Sequence, residues 1–277
     1  MEGFGGLLGG TLVLRPYVFI FLAAYLLLAT WHLGWGRALI YLVAGYLLAW
    51  GSEFSSIHTG FPYGRYFYIE ATRGQELWVG GVPFMDSLSY VFLSYASYSL
   101  ALLARTPTRP GPGGLKLEKN EILHHSWGTL ILAGVLFVSL DVVIDPVALR
   151  GYRWFLGQIY AYPEPGLYFG IPLSNFLGWL VMGFVLIAVL QRVARLPDWV
   201  PLANWGRINF PGQEWLGPGL YFGILMFILV VTFYIGETLL GLVGCFIYIP
   251  FVTLLAVSLL NRRNCRLVDD HQKSLNS

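Results

Sequence analysis

Residues 219–260 read GLYFGILMFILVVTFYIGETLLGLVGCFIYIPFVTLLAVSLL, 42 residues interrupted only at Gly236-Glu237-Thr238. A helix needs about 20 mostly apolar residues to cross the hydrocarbon core of a bilayer. The run is too long for one crossing and suits two helices joined by a tight turn. The same test along the chain predicts seven spans, at about 17–32, 37–55, 83–104, 126–145, 169–191, 219–237 and 239–260. Composition agrees: 56% of residues are hydrophobic, 17% aromatic and 12% charged, with a mean hydropathy of +0.63. A soluble domain carries about 25% charged residues. The expected fold is an all-α membrane protein, a bundle of about seven transmembrane helices. Residues 1–277 form one multi-pass domain, with aromatic, Pro- and Gly-rich outer loops and a polar cytoplasmic tail at 261–277.

Residues 1–14 are Gly-rich and lack a basic start, and the first apolar run has no convincing small-residue cleavage site. That run is read as a retained first helix. No internal repeat is visible, which gives an inverted-repeat transporter no support.

Lys and Arg set the orientation. With seven spans, Arg37, Arg105, Arg109, Lys116, Lys119, Arg192, Arg195, Arg207, Arg262, Arg263, Arg266 and Lys273 share one side, 12 of the 17 basic residues. Arg15, Arg65, Arg73, Arg150 and Arg153 share the other. Positive charge marks the cytoplasmic side. The expected location is the cytoplasmic (inner) membrane, with the N-terminus outside and the C-terminus inside.

That arrangement gathers the acids. Glu53 closes the second span, Asp86 opens the third, Asp141 and Asp145 lie in the last turns of the fourth, and Glu237 ends the sixth. Asn175 lies in the first turns of the fifth. All fall in the outer half. Ionisable groups at membrane depth are costly and mark functional sites by default. The plain alternative is that each acid is a helix end touching headgroup water. It weakens for the whole set, because the inner helix ends mostly carry Arg and Lys. Asp141 and Asp145, four apart, share a helix face. Two carboxylates in a low-dielectric site disfavour double ionisation, and a protonated acid beside a carboxylate equips general acid–base chemistry. The alternative for this pair is an ion pair with Arg150 or Arg153.

The outer loops, 55–81 and 146–168, are rich in aromatics, Gly and Pro, as in Phe61-Pro62-Tyr63-Gly64-Arg65-Tyr66 and Tyr152-Arg153-Trp154-Phe155. An aromatic belt explains any single Trp or Tyr. Loops this dense are expected to fold down as a cap over a cavity. Aromatic faces also stabilise cations, including a transient carbocation. The supporting and substrate-binding set is Asp86, Asn175, Glu237, His58, Tyr63, Tyr66, Trp154, Tyr168 and Trp179, around the candidate catalytic acids Glu53, Asp141 and Asp145.

Other chemistries lack their residues. The histidines, His32, His58, His124, His125 and His271, form none of the boxes that di-iron membrane hydroxylases need. The seventh span has no Lys for a retinal Schiff base, and there is no Gly-rich phosphate loop. Cys245 and Cys265 suggest neither disulfide nor metal site. No metal, cofactor or nucleic-acid partner is expected.

The segments Gly51–Gly64 (GSEFSSIHTGFPYG), Val82–Asp86 (VPFMD), Asp145–Ala148 (DPVA) and Tyr168–Trp179 (YFGIPLSNFLGW) resemble the integral-membrane carotenoid-synthesis hydratases. That family includes γ-carotene 1′-hydratases of bacteria and bisanhydrobacterioruberin hydratases of haloarchaea. The resemblance covers roughly residues 40–240. It implies cofactor-independent addition of water to the terminal 1,2 (1′,2′) double bond of an acyclic carotenoid end, giving a tertiary alcohol. The implied partners are the lipid bilayer, a substrate such as lycopene, γ-carotene or a C50 relative, and other carotenoid-pathway enzymes. The residues suit that chemistry. Protonating the less substituted alkene carbon needs an acid in a dry pocket, aromatic faces for the cation, and a base for water. Two alternatives stay open. A carotenoid- or lipid-binding or proton-coupled transport protein would need a polar path to the inner side, and the spans hold no inner-half acids. A cofactor-free isoprenoid cyclase would share the protonation step, although no DDxxD-type motif is present; Asp269-Asp270 lies in the polar tail.

Overall fold

The structure is a computed structural model that describes residues 3–111, 114–117, 121–155 and 157–275. Helix accounts for 71% of it. In chain order the helices are α1 (Phe4–Leu14), α2 (Pro16–Leu33), α3 (Trp35–Thr59), α4 (Phe84–Arg105), α5 (Glu121–His124), α6 (Trp127–Ala148), α7 (Leu173–Ala194), α8 (Leu216–Tyr234) and α9 (Thr238–Leu275). Seven helical segments, all but α1 and α5, are long and apolar enough to cross a membrane. The protein is an all-α membrane protein. The break at Gly236-Glu237 separates α8 from α9, as the 42-residue run implied.

Helix α4 is central, packed against α2, α3, α6, α7 and α8 and buried along nearly its whole length. Its sequence explains how. Ser87, Ser94, Ser97 and Ser99 are buried with Ala96 and Ala101, and small residues let neighbouring backbones approach. Three of the serine hydroxyls donate within their own helix, Ser94 to Tyr90 O, Ser97 to Leu93 O at 2.7 Å and Ser99 to Tyr95 O at 2.9 Å. Four-residue spacing sorts the other helices into two faces. On α3, Ile40, Val43 and Leu47 face outward, as lipid requires, while Tyr41, Gly45, Ala49 and Glu53 form the buried stripe. On α6 that stripe runs Ala133, Phe137, Asp141, Asp145. On α7 it runs Asn175, Trp179, Met182, Leu186, Leu190, with Leu177, Val181 and Val185 outward. The polar residues thus continue core-facing stripes.

Short strands shape the connections. β1 (Phe67–Tyr68) pairs with β6 (Tyr160–Ala161), tying the α3–α4 loop to the α6–α7 loop with Tyr68 opposite Tyr160. β2 (Trp78–Val79) and β3 (Val82–Pro83) form a hairpin turned by Gly80 and Gly81, both at positive φ, which the two-residue turn requires. At the other end of the bundle, β4 (Thr108–Gly111) pairs with β5 (Gly114–Leu117).

Three details differ from the sequence expectation. The Gly-rich N-terminal segment is helical as α1, and it is held to the α3–α4 loop. The Arg15 guanidinium forms a fully buried ion pair with Glu76 (2.9 Å), and Thr11 Oγ1 accepts from Leu77 N at 2.8 Å. Helix α7 begins at Leu173 rather than 169, because Gly166–Ile171 fold as an irregular turn with bridges Gly166–Gly170 and Tyr168–Ile171. Pro172 then caps the helix. The backbone of the polar tail continues α9 to Leu275, and residues 276–277 lie outside the described residues.

Candidate active site

Five of the polar residues singled out in the sequence meet at one end of the bundle. They form two carboxyl pairs, each bridged by one hydrogen-bond donor. Glu53, on the last turns of α3, and Asp86, on the first turn of α4, share the Tyr68 hydroxyl of β1. Tyr68 OH lies 2.8 Å from Asp86 Oδ2 and 3.1 Å from Glu53 Oε1, so its single proton is shared between the two carboxyls. Ser87 Oγ donates to the other Glu53 oxygen at 2.5 Å. Asp141 and Asp145 on α6 share the Asn175 amide of α7, whose Nδ2 donates to Asp145 Oδ2 at 2.6 Å and Asp141 Oδ2 at 3.1 Å. The two α6 carboxyls are close enough that the charge of Asp145 acts on Asp141. The pairs are close enough that the charge of Asp145 acts on Glu53 and that of Asp86 on Asp145.

Glu53, Asp141, Asp145 and Asn175 are buried and Asp86 is half-buried. The Glu53 oxygens have donors in Ser87 and Tyr68. Asp141 differs: it has no solvent exposure, and its Oδ1 has no hydrogen-bond partner. A buried polar atom left unsatisfied costs about 1–3 kcal/mol. Such an atom in a site of acids is where a reactant or water belongs.

The cap comes from the α3–α4 and α6–α7 loop segments that pair as β1 and β6. Burial, then the charges of Asp86 and Glu53, hold the Tyr68 phenol far above its ordinary pKa, so it remains a donor. Burial and then Asp145 do the same for Tyr160, whose hydroxyl donates to the Asp145 backbone O at 3.4 Å. Tyr66 lies between them, with its ring 5.3 Å from Tyr68 and 6.1 Å from Tyr160.

One turn deeper, the polar layer gives way to aromatics at four-residue spacing. Asp86 is followed inward by Tyr90, Asp141 by Phe137 and Asn175 by Trp179. Tyr90 and Trp179 stack at 4.4 Å with 12° between planes, and Phe137 lies 5.0 Å from Trp179. Tyr63 completes the group, 6.3 Å from Trp179 and hydrogen-bonded to Ser52 Oγ at 2.8 Å. Gly178 permits this: a Cβ there would lie 2.5 Å from the Tyr63 ring and 2.7 Å from Pro62 O. The layer is therefore acids above, aromatics below, with Tyr phenols as the lid.

A family model described as "carotenoid biosynthesis protein" matches residues 13–250. The chain belongs to this carotenoid biosynthesis family. It is also 30% identical over 234 residues to bisanhydrobacterioruberin hydratase of Haloarcula japonica, across 78% of this chain and 72% of that one. No solved structure matches.

Within this family member, several residues named from sequence stand apart from the acids. Glu237 lies in the α8–α9 turn and pairs with Arg150 (3.0 Å) and with Arg153. The expected alternative partners of Asp141 and Asp145 are thus engaged elsewhere. His58 is exposed, its Nδ1 2.7 Å from Phe54 O and its ring on Phe54. Trp154 packs with Tyr17, Phe155 and Phe227. Tyr168 contacts Phe169 and Phe176. Sequence reasoning passed over Tyr68, Ser87, Tyr90, Phe137 and Tyr160. The four-residue offsets from the acids could have found Tyr90 and Phe137. Nothing local marks Tyr68 or Tyr160, which depend on a strand pairing between distant loops. A cavity of about 450 Å³ opens at the opposite end of the bundle, away from the acids. Carboxyl convergence, rather than open volume, marks the candidate active site.

Proposed function

We propose that this chain hydrates the terminal 1,2 double bond of an acyclic carotenoid end group, giving a tertiary alcohol. The observation that carries the proposal is Asp141, a fully buried carboxyl with one oxygen held by Asn175 and the other unpartnered, one turn above the Tyr90–Trp179–Phe137 group. Membership of the carotenoid biosynthesis family and the named hydratase relative supply the substrate class.

In this mechanism the protonated Asp141 carboxyl delivers its proton to the less substituted alkene carbon. The π electrons form the new C–H bond and leave a tertiary carbocation. The Tyr90, Trp179 and Phe137 faces stabilise that cation, an interaction worth about 2 kcal/mol or more when desolvated. Water adds to the cation, and its surplus proton passes to the Asp145 carboxylate, oriented by Asn175. Transfer from Asp145 to the adjacent Asp141 restores the starting state, so no proton is gained or lost by the protein. Tyr68 holds Glu53 and Asp86 together as the second wall of the site. The acid-bearing end faces outward, with the N-terminus outside and the C-terminus in the cytoplasm.

Expression in a lycopene- or γ-carotene-producing bacterium, followed by mass spectrometry of the pigments, tests the proposal. A product heavier by one water is expected. A cyclised product of unchanged mass would make the chain a cyclase. Unaltered pigment, with the protein present in the membrane, would favour a binding or transport role.

A further inference from the structure

The end of the bundle opposite the acids has its own chemistry. The 450 Å³ cavity there is bounded by the ends of α2, α4 and α7, the residues before α6 and the start of α8. Its wall has two characters. Leu28, Leu33, Leu102, Leu103 and Leu216 make an apolar side. Arg37, Arg195 and Arg207, with His32, His124 and His125, make a cationic and donor-rich side.

Arg37 is committed to structure. It is buried and donates to Leu196 O at 2.7 Å and to Asp198 Oδ1 at 2.7 Å. Arg195 and Arg207 are different. Both are exposed at the cavity rim, and neither guanidinium has an ion-pair or hydrogen-bond partner among the described residues. Asp198 lies close enough to feel Arg207, but its carboxylate is bonded to Arg37 and Asn204. Among the described residues, the one acidic side chain in the lining is Glu214. Two uncommitted guanidinium groups thus outweigh one carboxylate, beside a leucine wall, at the end of a membrane bundle. Guanidinium forks match phosphate oxygens two at a time, and basic pockets between membrane helices hold phosphate head groups. A purely apolar ligand would leave the guanidinium groups unused. A free inorganic anion would leave the leucines uncovered.

We propose that this cavity is a second binding site, which takes the phosphate-bearing head of a hydrocarbon amphiphile, with Arg195 and Arg207 on the phosphate and the leucine wall on the first part of the chain. The same chemistry is offered by a prenyl diphosphate and by an anionic phospholipid. The site is independent of the hydratase proposal, and neither depends on the other.

Equilibrium binding to the full chain in neutral detergent tests it, with four probes: geranylgeranyl diphosphate, phosphatidylglycerol, inorganic phosphate and geranylgeraniol. One or both phosphate-bearing amphiphiles should bind at least about tenfold more tightly than the uncharged alcohol and than inorganic phosphate, as expected for a charge-assisted contact joined to an apolar one. Preference for the diphosphate identifies an isoprenoid ligand, and preference for phosphatidylglycerol identifies a bilayer lipid. The exposed double variant Arg195→Ala/Arg207→Ala should lose that advantage while binding geranylgeraniol unchanged. Equal binding of the alcohol and the diphosphate, no binding by any probe, or a double variant with undiminished phosphate preference would each overturn the proposal.

Discussion

Asp141→Asn removes the proposed acid while keeping its shape. In the native site Asp141 accepts one hydrogen bond, from Asn175 Nδ2 at 3.1 Å. An asparagine can keep this contact, its amide oxygen accepting from Asn175. The expected change in stability is therefore within about 1 kcal/mol, the net worth of a typical hydrogen bond. The expected change in rate is far larger. Loss of general acid assistance costs about 10²–10⁴-fold, which is about 2.7–5.4 kcal/mol in the barrier. The two effects separate by assay. Pigment conversion in a lycopene-producing host, normalised to membrane-bound protein, reports rate; a thermal melt in detergent reports stability. Conversion should fall by at least about a hundredfold with an almost unchanged melt. Near-normal conversion in a normally folded Asp141→Asn protein would refute the assignment of the proton donor. A normal result for Glu53→Asn and Asp145→Asn as well would make all three acids structural.

Tyr68→Phe removes the hydroxyl that joins Glu53 to Asp86. Hydrogen bonds to charged groups contribute about 1.5–3 kcal/mol, so a thermal melt should fall and conversion with it; an unchanged melt would contradict the bridging role. Arg15→Ala leaves Glu76 buried without its partner, and breaking such a pair costs about 3–5 kcal/mol. Urea or thermal unfolding should show that loss, and a melt close to native would mean that α1 contributes little to the fold. A reporter or epitope tag fused after Ser277 should be accessible only from the cytoplasmic side. Labelling of that tag from outside intact cells would reverse the orientation.

The seven crossings were legible because apolar runs of membrane length are nearly independent of tertiary context. Their alternating direction was legible too, so the shared depth of Glu53, Asp86, Asp141, Asp145 and Asn175 could be expected from span order. The lateral arrangement was not. Tyr68 and Tyr160 are separated by more than ninety residues and meet only through the β1–β6 pairing, which two-residue strands do not announce. Glu237 shares the depth of the other acids, yet lies where Arg150 and Arg153 converge, because it sits on a turn rather than on a core-facing stripe. The helical stripes carry that distinction: Asp141 follows Phe137 by four residues and Asn175 precedes Trp179 by four, so their directions could have been read. Helix α1 was obscured by its glycines. Its place depends on the buried contact of Arg15 with Glu76, which no local pattern encodes.

The central claim is that water, and no other oxygen source, becomes the hydroxyl of the product. The most direct measurement supplies an acyclic-ended carotenoid to the purified chain in detergent, in water enriched in heavy oxygen, and follows the pigment by mass spectrometry. The account predicts a product heavier by one enriched water. The same reaction in deuterium oxide should place one non-exchangeable deuterium on the carbon beside the tertiary alcohol. A hydroxylated product lacking the heavy oxygen, or a cyclised product of unchanged mass, would contradict it.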